Sequence, residues 1–136
     1  GDIHLSLVQT VPLDGVVIVS TPQEVALADA RRGINMFQMD TLKVPVIGVV
    51  ENMAWFTPAE LPENKYYLFG KNGAKDLAEK MEVPFLGHIP LVQSVCEAGD
   101  SGRPAVYQEN TPTALAFDEL VHTFVDELTK LKAKIQ

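Results

Sequence analysis

The sequence predicts an α/β fold, the C-terminal portion of a doubly wound, mainly parallel sheet with flanking helices. Three observations carry this expectation. Three short β-branched runs are bounded by turn residues, the pattern of strands buried on both faces. Helical patterns separate the runs, which implies right-handed crossovers and parallel pairing. Three strands also fall short of the roughly five that a doubly wound sheet covered on both faces uses, so further strands are expected upstream. Residues 1–136 are then the C-terminal part of one domain, the alternative being a small three-layer domain complete in itself.

The elements follow in chain order. Asp2 is placed to N-cap a helix from about Ile3 to Thr10, as if a preceding strand and loop led into it. Gly15 to Ser20 reads as the first strand. Thr21 as N-cap, Pro22 at the first helical position and Glu24 completing a capping box predict a helix running to about Met39. Val44 to Val50 and Pro84 to Ile89 are the second and third strands, each entered through Val-Pro and each holding a glycine. A helix starting near Gly73 carries Leu77, Ala78 and Met81 on one face. Another opens at Asn110-Thr111-Pro112 and sets Leu120, Val121, Phe124, Leu128 and Leu131 along one stripe.

Composition excludes several function classes. The chain of 136 residues is 46% apolar and 21% charged with a net charge of −7, a globular balance. An acidic chain without a basic cluster lacks the footprint for nucleic acid. The single cysteine, Cys96, excludes an internal disulfide and reads as a small buried hydrophobe in a cytoplasmic protein. No run reaches the ~18 apolar residues of a membrane span.

In an open parallel sheet, ligands bind at the carboxyl ends of the strands. Those ends read Ser20-Thr21-Pro22, Glu51-Asn52-Met53 and Ile89-Pro90-Leu91. Asn52 is the most suggestive member, because a carboxamide can both donate to and accept from one edge of a purine; the more ordinary role for this position is a turn residue that closes the strand. No phosphate-cradling G-x-x-x-x-G-K-[ST] occurs, and Gly70-Lys71 continues into Asn72-Gly73, a turn and helix start. His4, His88 and His122 lack metal-ligand spacing, so each is expected to be structural or solvated and no metal ligands are assigned. No catalytic nucleophile or base is identified. The long segment from Met53 to Gly70 holds Trp55, Phe56, Tyr66, Tyr67 and Phe69, which either anchor a partner or fold back as a hairpin on their own domain.

An ordered set of segments resembles the Mrp/ApbC iron-sulfur cluster carriers, deviant P-loop ATPases related to MinD and ParA. It consists of Gly1-Asp2, Val17 to Ala30 (Val-Ile-Val-Ser-Thr-Pro-Gln-Glu-Val-Ala-Leu-Ala-Asp-Ala), Gly48 to Met53, Phe69 to Ala74, and Val83 to Leu91, and it spans nearly the whole chain. The resemblance implies that the full-length protein binds ATP and Mg and hydrolyses ATP as a homodimer, serving iron-sulfur recipient proteins, with its phosphate-binding loop before Gly1. It assigns to this chain the adenine end of the site, with Asn52 on the base and the Ile89-Pro90-Leu91 turn lining it. Thr21 and Pro22 would face the partner protomer. Many members carry a Cys-x-x-Cys after the Glu-Asn-Met strand; the segment from Met53 to Gly70 has no cysteine, so it offers no thiolate to an iron-sulfur cluster. A non-catalytic interaction module that kept the fold of such an ATPase is the alternative function.

Overall fold

Three parallel strands in the order β1-β2-β3 form the sheet of the computed structural model, which describes residues 13–39, 41–42, 44–92 and 112–135. Strand β1 is Val16–Ser20, β2 is Val46–Thr57 and β3 is Phe85–Val92. Helix α1 (Glu24–Phe37) connects β1 to β2, and α2 (Gly73–Lys80) precedes β3. Helix α3 (Pro112–Ile135) packs on β3 and β2, with Leu120 against the backbone of Gly87. The expected α/β class and parallel pairing are both present. The helix expected at Ile3–Thr10, and Cys96, lie outside the described residues.

Apolar residues of β2 alternate with the sheet's pleat, and those facing α1 and α2 build the core. Ile34, Val49, Ala74 and Ala78 are fully buried there, joined by Ala30 and Leu77. Burying a side chain such as Ile34 or Val49 is worth about 1.5–3 kcal/mol over leaving it exposed. Ile18, Leu27, Met81 and Phe85 pack around this cluster. On α3, Leu120, Phe124, Leu128 and Leu131 are half-buried as their spacing predicts, but Val121 is 54% exposed. One residue is a 100° turn of the helix, enough to carry Val121 off the stripe.

Helix α1 begins two residues later than the capping signals predict. Gln23 holds the N-cap position with extended φ and ψ and no side-chain cap, and the first helical bond runs from Leu27 N to Gln23 O at 2.9 Å. Thr21 Oγ1 donates to Gln23 Oε1 instead of accepting a backbone N–H, so Thr21 is not the cap and Pro22 is not the first helical residue. The helix ends at Phe37, leaving Met39 exposed.

Both later strands run past their expected ends. β2 continues through Glu51-Asn52-Met53 to Thr57 because β3 stays beside it and because the chain folds back, Phe56 and Tyr66 exchanging backbone bonds of 2.7 and 2.9 Å. The segment after Met53 is therefore in part strand and in part a hairpin-like return. β3 contains Ile89-Pro90-Leu91 as strand rather than turn. Proline is tolerated on an edge strand, and β3 is the last strand of the described sheet.

Candidate functional site

One irregularity of the sheet builds the site. Val49 pairs with Phe85 but Val50 pairs with Gly87, so β3 carries one extra residue, Leu86, opposite β2. Such a bulge changes which face the following residues occupy. It leaves Phe85 and His88 on the same face, their rings 4.9 Å apart, and makes His88 the register partner of Glu51. Gly48 admits the displaced Leu86: a Cβ at Gly48 would lie 2.6 Å from the Leu86 side chain.

Glu51 is completely buried and faces the start of α2. Its Oε2 accepts the Ala74 N–H at 2.8 Å, so a strand carboxylate, rather than the cap residue Asn72, satisfies the first turn of that helix. Asn72, in the left-handed conformation at φ 59°, turns its side chain elsewhere: His88 Nε2 donates to Asn72 Oδ1 at 2.9 Å. Glu51 Oε1 is buried without a hydrogen-bond partner, 3.8 Å from His88 Nε2. Burial pushes the Glu51 carboxyl above its ordinary value, with Asp76 adding to the effect and the amides of Ala74 and Lys75 opposing it. Burial likewise holds the His88 imidazole below its ordinary value, helped by Lys75 and Lys65 and opposed by Glu119.

The cluster extends into the aromatic segment. Trp55 lies 5.5 Å from the His88 ring and 6.2 Å from Tyr67, and Lys65 Nζ sits 4.1 Å over the indole. Lys71 covers Tyr67 at 4.9 Å. Beyond these contacts Leu61, Tyr66, Tyr67 and Leu68 are exposed.

The candidate residues fall into two groups at the carboxyl end of the sheet. Asn52 is the register partner of Ile89, with Pro90 and Leu91 following in the same strand. Its Oδ1 accepts the N–H of the next residue, Met53, at 2.9 Å, and among the described residues its Nδ2 carries no hydrogen bond. The carboxamide thus keeps a free donor and a second acceptor lone pair, which fits one edge of an adenine. Thr21 and Pro22 lie apart, after β1, where the backbone of Gly70 and Gly73 closes on the Pro22 carbonyl; a Cβ at Gly73 would stand 2.8 Å from that oxygen. From the sequence, Glu51 reads only as a strand end and His88 as a structural or solvated residue. The signal available was a carboxylate inside a β-branched run.

Among the described residues, no group of three His, Cys, Asp or Glu side chains could hold a metal ion, and no helix is long and apolar enough to cross a membrane. A groove of about 910 Å³ opens between β1 and α1, lined among others by Val17, Val19, Ala26, Gly33, Met36 and Phe37.

Residues 1–125 match the family described as ParA, NUBPL iron-transfer P-loop NTPase. An iron-sulfur cluster carrier protein of Synechocystis is 48% identical over 109 residues, which are 80% of this chain and 30% of that protein. A nucleotide-binding protein of Archaeoglobus fulgidus, solved in complex with ADP, superposes with a TM-score of 0.67 at 36% identity, over 86% of this chain and 46% of that one. The cell division ATPase MinD of Pyrococcus furiosus shares the fold, with a TM-score of 0.61 at 23% identity over 83% of this chain and 43% of that one. The chain spans less than half the length of the curated relatives it matches.

Proposed function

The chain belongs to the NUBPL iron-transfer P-loop NTPase family, and from that premise we propose that it supplies the adenine end of the nucleotide site of an ATP-dependent iron-sulfur cluster carrier. The observation that carries the reading is the placement of Asn52. It stands within β2 one residue past the carboxyl end of β1, next to Ile89, with a donor free and an acceptor lone pair to spare. Ile89, Pro90 and Leu91 form the apolar flank of the base. Bound ATP and Mg supply the phosphoryl-transfer chemistry, and the groups that grip phosphate and Mg belong to a part of the protein preceding Gly1. Taken alone, these residues are inactive.

In this reading the protein works in the cytoplasm as a homodimer, with Thr21 and Pro22 toward the other protomer, and delivers its cargo to iron-sulfur recipient proteins. The segment from Met53 to Gly70 contributes no thiolate. Any cluster would use ligands elsewhere in the protein. The exposed Tyr66, Tyr67 and Leu68 favour a second reading, an interaction module that uses the ATPase fold without its chemistry.

Asn52→Ala in the intact protein separates the two. Loss of a bidentate carboxamide–adenine pair costs about 1–3 kcal/mol, so ATP binding should weaken about 5- to 150-fold while GTP binding changes little. Dissociation constants for both nucleotides, with thermal midpoints as control, test this; unchanged ATP affinity reduces Asn52 to a strand-closing residue.

A further inference from the structure

The backbone ladders hold Asn52 less firmly than they hold the residues before it. Pairing with β1 ends at Ser20 and Glu51, one residue earlier, and pairing with β3 leaves its regular register directly after Asn52 and Ile89. Met53, next in the chain, has φ 52°. What fixes β2 at this level is a side chain: the buried Glu51 carboxylate anchored on the Ala74 amide of α2. Beside it the His88–Asn72 bond ties β3 to the same helix start. A carboxylate buried with one oxygen unpartnered works against stability, so packing alone does not account for a glutamate here.

We propose that Glu51 is the positioning residue for Asn52: by pinning the last doubly paired residue of β2 to the first turn of α2, it sets where the Asn52 carboxamide meets the base. The proposal rests on the base-reading role given to Asn52 above. Glu51 itself points to the opposite face of the strand and never touches the nucleotide. Its effect is geometric, since hydrogen-bond strength falls steeply when donor and acceptor are misaligned. The same cluster reaches Trp55 through the His88 ring, which places the indole to report on displacement of this level of β2.

The test uses the intact protein with ATP and GTP as probes, comparing wild type, Asn52→Ala, Glu51→Ala, Glu51→Gln and Glu51→Asp. Fluorescence of Trp55, the single tryptophan of these 136 residues, is the second readout, taken with any tryptophan elsewhere in the intact protein replaced by phenylalanine. Glu51→Ala should weaken ATP at least about fivefold, the lower bound of the whole Asn52 pair, and narrow the preference over GTP. It should also blunt the nucleotide-induced change at Trp55. Glu51→Gln retains a carbonyl acceptor for the Ala74 N–H and should restore the wild-type preference. Glu51→Asp keeps the charge but is one methylene short of that amide, and should resemble Glu51→Ala; it decides the matter if the alanine variant does not fold. Wild-type ATP-to-GTP ratios in Glu51→Ala and Glu51→Asp, with Asn52→Ala impaired, overturn the positioning role and leave the base reading standing. An unimpaired Asn52→Ala removes the base reading and the proposal with it.

Discussion

At the scale of single residues, Glu51 and His88 carry opposite dependences on pH. Glu51 has its folded value raised above the ordinary 4.5, so the folded chain holds this proton more tightly than the unfolded one. That contribution is present in full below the unfolded value and is lost as pH rises through the folded one; at neutral pH the ionised carboxylate opposes folding. Glu51→Gln, which mimics the neutral acid, should raise the thermal midpoint at pH 7 and match wild type near pH 4. A gap independent of pH, in calorimetric scans at the two values, would count against the assignment. His88 has its folded value lowered below the ordinary 6.5, so its contribution is complete above 6.5 and lost as pH falls from there toward the folded value. Removing the imidazole by His88→Gln should flatten that part of the stability profile. Neither effect was legible in the sequence. Glu51 and its amide partner are 23 residues apart, and periodicity records which face a residue occupies but not what it meets there.

At the scale of elements, the strands were legible because each is a short β-branched or apolar run between turn residues, although only β2 is buried on both faces, and their ends were not. Polar Glu51 and Asn52 suggested that β2 stops, yet tertiary contacts absorb the one and local bonding the other. Pro90 suggested a turn, although a strand at the edge of the described sheet tolerates it. The start of α1 failed for a related reason: Thr21-Pro22 carries cap chemistry, but the chain is still extended at Gln23. The β3 bulge left only Gly87 and Gly48 as traces in the sequence. Gly48→Ala tests the bulge, since the new Cβ would meet the Leu86 side chain at 2.6 Å and the Pro84 carbonyl at 2.9 Å. Overpacking of this kind costs about 1–3 kcal/mol, and chemical denaturation of the variant should show that loss. A stability equal to wild type would mean that Leu86 does not occupy the space beside Gly48.

At the scale of the whole molecule, β1 ends the described sheet, and its flank is an apolar groove of about 910 Å³ against α1, with Val19 59% exposed. Unpaired edges and apolar grooves invite another chain. The chain by itself is therefore expected to form dimers or larger assemblies, and light scattering that reports a monomer at all concentrations would weigh against an edge open to pairing. The nucleotide site has the same character at this scale. The group proposed to read the base is present, whereas the sequence offers no glycine-rich phosphate cradle, and in P-loop proteins the triphosphate and Mg contacts carry the positioning and charge stabilisation of the reaction. Calorimetric titration of ATP and Mg into the 136-residue chain tests this division most directly. No saturable binding is expected up to about millimolar nucleotide, an affinity limit near 4.1 kcal/mol, and no phosphate release. Micromolar binding with turnover by the chain alone would contradict it.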